Sequence, residues 1–126
     1  MTDLLAIGFG GFLGSISRYF IFVMEDKLLP NTIFPFGTLI ANLAGSFLIG
    51  VTLGLSIKFQ LLSKGSFWYF LFVIGFLGAF TTFSTFSKNN LLLLIEKHYF
   101  LFILNIFLNI FLGLFLVAIG YFVVKR

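Results

Sequence analysis

The chain has 126 residues, 60% of them hydrophobic and 10% charged, with a mean hydropathy of +1.16, which excludes an ordinary soluble domain and places the chain in lipid. Cysteine is absent, so disulfides, thiolate metal sites and cysteine nucleophiles are excluded too. The net charge of +4 is spread over the ends of apolar runs and forms no patch, so anionic lipid headgroups rather than nucleic acid are its expected counterpart.

Four apolar runs, at 4–24, 33–57, 67–95 and 99–124, are joined by short polar connections. Each exceeds the roughly 20 residues that cross about 30 Å of hydrocarbon as a helix. Strands left open in lipid would leave backbone groups without partners. The expected fold is therefore all-α: a single membrane domain over 1–126, with four transmembrane helices packed as sequential antiparallel neighbours. Four spans put both termini on one side with Lys58, Lys64, Lys125 and Arg126, while Lys27 and Lys97 lie opposite beside Glu25, Asp26 and Glu96. That excess places the termini in the cytoplasm, by a bias small enough to admit insertion in either orientation. Met1-Thr2-Asp3 lacks the basic start of a secretory signal, so the first run is expected to stay as a span.

In the first run, Gly10 and Gly14 have the spacing at which small residues let helix backbones approach; Ala41 with Gly45 and Gly50 with Gly54 repeat it in the second. Arg18 lies about two-thirds along the first run, where a guanidinium costs ~2.5 to 3.5 kcal/mol on insertion scales. It either reaches back to the headgroups or stands in a water-filled vestibule, where its charge would attract anions. Asn42, in the second run, carries an amide that can donate to an anion or bond a neighbouring helix. Asn105 and Asn109, four apart on one face of the fourth run, read as interhelical glue.

The third run holds the densest polar cluster: Gly75-Phe76-Leu77-Gly78 leads through Ala79-Phe80 into Thr81-Thr82-Phe83-Ser84-Thr85-Phe86-Ser87. Glycines and hydroxyl side chains make a poor continuous helix, so a break is expected, and it would free carbonyls able to bind a hard cation. Phe83 and Phe86, three apart on the helix that resumes, are either core filler or two ring edges lining a narrow anion path. Hydroxyls of Ser84, Thr85 and Ser87 can replace water around such an ion.

Other chemistries lack their central group. Asp3, Glu25, Asp26 and Glu96 all lie at span ends, so the alternative of a small four-helix proton-coupled multidrug exporter has no embedded carboxylate. The sole histidine, His98, sits at a turn without a ligand or triad partner, so no enzyme is expected.

Taken in order, Gly10-Gly11-Phe12-Leu13-Gly14, Arg18-Tyr19, Pro35-Phe36-Gly37-Thr38-Leu39, Asn42, Gly45-Ser46-Phe47, Gly50 and the run from Gly75 to Ser87 resemble the fluoride-specific ion channel family (Fluc, or CrcB). The resemblance implies an antiparallel dual-topology dimer in the cell inner (plasma) membrane. Two parallel pathways would export fluoride from the cytoplasm by passive electrodiffusion, lowering its toxicity. By the same resemblance Asn42 borders the pathway, Phe83 and Phe86 form aromatic boxes, and Ser84, Thr85 and Ser87 match a polar track. Carbonyls of Gly78 and Thr81 match a structural Na+ site at the dimer centre, and Arg18 matches the family's first-span arginine. Asn89 departs from the pattern, standing after Lys88 where many members carry a glutamate. That departure leaves open a homodimer or a heterodimer with a second, similar subunit.

Overall fold

The computed structural model of the chain describes residues 1–60 and 62–126. Among them there is no strand, and four helices are long and apolar enough to cross a membrane. The first two are α1, Thr2–Leu28, and α2, Phe36–Phe59. The third span opens with wide π-helical turns over Tyr69–Leu77 and one α-turn, Gly78–Phe80, together α3 (69–80), and continues as α4, Phe83–Ile95. The fourth, α5 (99–125), is α-helical except for a π-helical stretch at Leu108–Leu112.

Local chemistry sets the helix ends. Pro35, at φ −80°, precedes the first residue of α2, where its missing amide leaves no helical bond unmade. α4 stops in a Schellman turn: the Lys97 amide donates to the Leu94 carbonyl at 3.1 Å and the His98 amide to that of Leu93 at 2.8 Å. Lys97 holds the left-handed conformation, φ 63°, that glycine would take without a Cβ clash.

Glycines decide which spans touch most closely. A methyl group added at Gly10 would strike the backbone of Leu71, and one at Gly14 that of Phe76, so α1 lies directly on α3. Gly50 and Gly120 do the same for α2 and α5, against Val117 and Phe47 respectively. Gly10, Gly14 and Arg18 meet Leu71, Phe76 and Thr81 in that order, so α1 and the third span run parallel. Gly50 and Gly54 likewise meet Val117 and Val124 in order. The closest pairs are therefore alternate, parallel spans, not the sequential antiparallel neighbours expected from short connections. A short link restrains where two helix ends lie, whereas the faces able to approach within backbone contact are those without side chains.

The outward faces are apolar. Leu4, Leu5, Phe9 and Phe12 on α1 and Phe107, Phe111, Leu114 and Phe115 on α5 are all exposed. So large an apolar surface fits a hydrocarbon solvent.

Candidate ion pathway

The candidate site forms at the two residues between α3 and α4. Thr81 (φ −82°, ψ 157°) and Thr82 (φ −151°, ψ 115°) are extended between α3 and α4. The Thr82 amide, which would close a helical turn onto Gly78, donates instead to Asn42 Oδ1 at 2.9 Å. The Asn42 amide returns a bond to the Thr82 carbonyl at 3.3 Å, so one side chain of α2 serves both backbone polar groups of Thr82. Three residues later the pattern repeats. The Thr85 amide, a turn beyond Thr81, is capped by Thr82 Oγ1 at 3.2 Å, leaving the Thr81 carbonyl to a bond from Arg18 Nη1 at 3.3 Å. Neither the Gly78 nor the Thr81 carbonyl receives the amide that a continuous helix would supply. Arg18, free on sequence grounds to point outward, turns its guanidinium inward to this point.

Beside the extended residues lies an open cleft of about 440 Å³, lined by Asn42, Gly78, Thr81, Phe83, Phe86 and Asn109 among others. Gly45 makes room for it: a Cβ there would collide with the Thr81 methyl. Phe83 is 79% exposed and Phe86 only 9%, with ring centroids 5.7 Å apart and planes tilted by 44°. One ring therefore stands out from the chain while the other is seated in it. The structure brings Arg18, Asn42, Gly78, Thr81, Phe83 and Phe86 together.

The three hydroxyl residues fall outside the lining of this cleft. Ser84 Oγ lies 3.2 Å from Thr82 Oγ1, which donates to Thr85 Oγ1 at 3.1 Å, a cluster that caps the start of α4. Ser87 Oγ donates back to the Phe83 carbonyl at 3.0 Å. Within the single chain these hydroxyls serve their own helix.

Amides from three helices join the cleft to the core. Asn42 Nδ2 donates to Asn109 Oδ1 at 2.9 Å, and Asn109 Nδ2 donates to Asn105 Oδ1 at 2.9 Å. Asn105 Nδ2 donates to Asn90 Oδ1 at 3.2 Å, and Asn90 Nδ2 to the Phe86 carbonyl at 2.9 Å. Asn90 is a residue that sequence reasoning missed. As a second consecutive amide inside a leucine-rich span it carried the same signal as Asn42, a costly polar group in want of a partner. Among the described residues, no buried side-chain nitrogen or oxygen lacks a hydrogen bond. Asn89 faces elsewhere, donating to Thr38 Oγ1 at 2.9 Å and bordering a second cavity of about 310 Å³ with Thr32, Pro35 and Glu96.

No group of three or more His, Cys, Asp or Glu side chains able to hold a metal occurs among the described residues. Backbone oxygens at Gly78 and Thr81 are the donors this region offers to a cation. As hard, neutral oxygens without their helical amides they would suit an alkali ion, the Thr81 oxygen in exchange for its 3.3 Å bond from Arg18.

Comparison with known proteins follows this geometry. Residues 5–121 match the family described as CrcB-like protein, Camphor Resistance (CrcB). The chain belongs to this family. It is 48% identical over 124 residues to the fluoride-specific ion channel FluC of Campylobacter lari, covering 97% of each chain. It is 44% identical over 127 residues to FluC of Campylobacter jejuni, covering 99% of each, and 48% identical over 101 residues to FluC of Leptospira interrogans, covering 80% of this chain and 77% of that one. Membership agrees with a multi-pass membrane protein, and the CrcB family is one of ion channels rather than enzymes.

Proposed function

We propose that the chain is one subunit of a fluoride-selective channel that lets fluoride leave the cytoplasm by passive electrodiffusion, keeping the internal concentration low. The observation that carries this reading is the cleft beside Thr81 and Thr82, whose lining includes both phenylalanines and Asn42. Fluoride is small and firmly hydrated, so a path for it must replace water without trapping the ion. Ring edges carry partial positive potential and an amide N–H is a neutral donor; both attract an anion less strongly than a full charge does. Arg18 supplies a fixed charge nearby, suited to drawing anions inward. The 3.3 Å bond from Asn42 to the Thr82 carbonyl is the longest the side chain makes, hence the one most readily exchanged for an ion.

The assembly in this reading is an antiparallel dimer of dual topology, two copies of this chain or this chain with a similar one. The outward-standing Phe83 ring and the open side of the cleft support it, since a second subunit would enclose both. The break in the third span is its functional centre. Carbonyls of Gly78 and Thr81 would hold a structural Na+ there, and its charge would help draw the two third spans together. The hydroxyls of Ser84, Thr85 and Ser87 join the path by exchanging their intrahelical bonds for the ion. No embedded carboxylate supports proton-coupled drug export, since Asp3, Glu25, Asp26 and Glu96 lie near helix ends.

Purified protein in liposomes loaded with potassium fluoride tests the reading. On adding a potassium ionophore, fluoride leaves the vesicles, without accompanying proton exchange. Absence of fluoride flux, or chloride moving as readily, would sink it. Replacing sodium by a bulky organic cation during purification is expected to lower the dimer's melting temperature; an unchanged value removes the sodium site.

A further inference from the structure

The four linked amides form a chain whose polarity is set at both ends by backbone groups. The Phe86 carbonyl can only accept, so Asn90 turns Nδ2 toward it and presents Oδ1 to Asn105. Asn105 therefore directs Nδ2 at Asn90 and Oδ1 at Asn109, and Asn109 in turn offers Oδ1 to Asn42. At the far end the Thr82 amide can only donate, which requires Asn42 to face it with Oδ1. The two ends demand the same direction. Inverting any one amide would oppose oxygen to oxygen or N–H to N–H at two contacts. Both ends lie on the strand of chain that bears Phe83 and Phe86, so the amides also pin that segment to α2 and α5.

The chain divides by exposure. Asn42 and Asn109 line the cleft, whereas Asn105 is 0% exposed and Asn90 7%. A side chain with no accessible surface cannot touch a passing ion in this fold, and glue between helices needs no particular polarity. We infer that Asn90 and Asn105 are positioning residues that, acting through Asn109, whose own Nδ2 is turned to Asn105, hold the Asn42 amide in the orientation the anion meets. This rests on the channel reading above.

The test compares fluoride efflux from liposomes for the wild-type chain, Asn105→Leu and Asn105→Asp, with dimer assembly checked by chromatography. Leucine keeps the volume and removes both polar ends. Flux is expected to fall about tenfold, the factor that about 1.4 kcal/mol in a barrier represents. The carboxyl in Asn105→Asp accepts from Asn109 in either state but donates to Asn90 only while protonated. Its flux is expected to decline as pH is raised and the carboxyl ionises, while wild-type flux stays flat because no titratable group bonds any of the four amides. Wild-type flux in an assembled Asn105→Leu dimer, or a pH-independent Asn105→Asp, overturns the inference. If Asn105→Leu fails to assemble, the pH profile of Asn105→Asp decides alone. Loss of flux in the wild type itself would strike the channel reading instead.

Discussion

Two kinds of seam in this small bundle are built on opposite principles. Along α1 with α3, and along α2 with α5, contact comes from glycines that bring backbone against backbone. Around α4 it comes from side-chain amides and hydroxyls that reach across: Asn42 to Thr82, Asn89 to Thr38, Asn105 to Asn90. The first kind is held by dispersion and shape, tolerates no added atom, and has no preferred polarity. The second is directional. It fixes which way a donor points, as a site that must present N–H groups to an anion requires, and it centres on the half of the third span that carries the phenylalanine pair, with Asn42 to Asn109 adding one such bond between α2 and α5.

Substitutions at the glycine seams are expected to have the largest effect. Gly50→Val places methyl groups in the backbone of Val117. A cost on the order of 3 kcal/mol or more follows, seen as loss of monodisperse protein in detergent. Gly11→Ala, whose nearest obstacle is the Gly75 carbonyl at 3.9 Å, should change the melting temperature little and so calibrates the comparison.

Next in size, Phe83→Ile and Phe86→Ile are each expected to lower fluoride efflux about tenfold, again ~1.4 kcal/mol in a barrier, with the dimer intact. Unaltered flux in both would return the rings to core filler. A smaller effect is expected at the cap of α4. Thr82→Val removes the acceptor for the Thr85 amide, at about 1 kcal/mol, measured as a lower melting temperature. The smallest change is a gain: Lys97→Gly relieves a left-handed residue at the end of α4, by up to about 1 kcal/mol, and should leave flux untouched.

Much of the site was legible because each of its residues is expensive in lipid. Arg18, Asn42, Asn105 and Asn109 stand out in apolar runs, and the Thr81–Ser87 cluster stands out more. Their partners were not legible. Asn42 bonds Thr82, 40 positions away, and Asn109, 67 away, and no local pattern encodes such a pairing. Asn105 and Asn109 read as glue between helices, and their bonds do join helices; the continuous chain they form with Asn42 and Asn90 appears only in three dimensions. Asn90 directly follows Asn89, and nothing local in the sequence separates their partners. Adjacent residues on a helix point about 100° apart, and these two serve different neighbours, Asn89 on α2 and Asn90 on α5.

The sequence by itself determined four spans, a helical fold and membership in a channel family, because hydrocarbon admits few alternatives for a chain this apolar and the diagnostic residues are contiguous. Only the tertiary structure decided that alternate spans pair in parallel, that the Thr82 amide turns to Asn42, and that four amides share one polarity. Those features depend on which faces meet after packing, and a hydrogen bond's direction is settled by the groups at both of its ends.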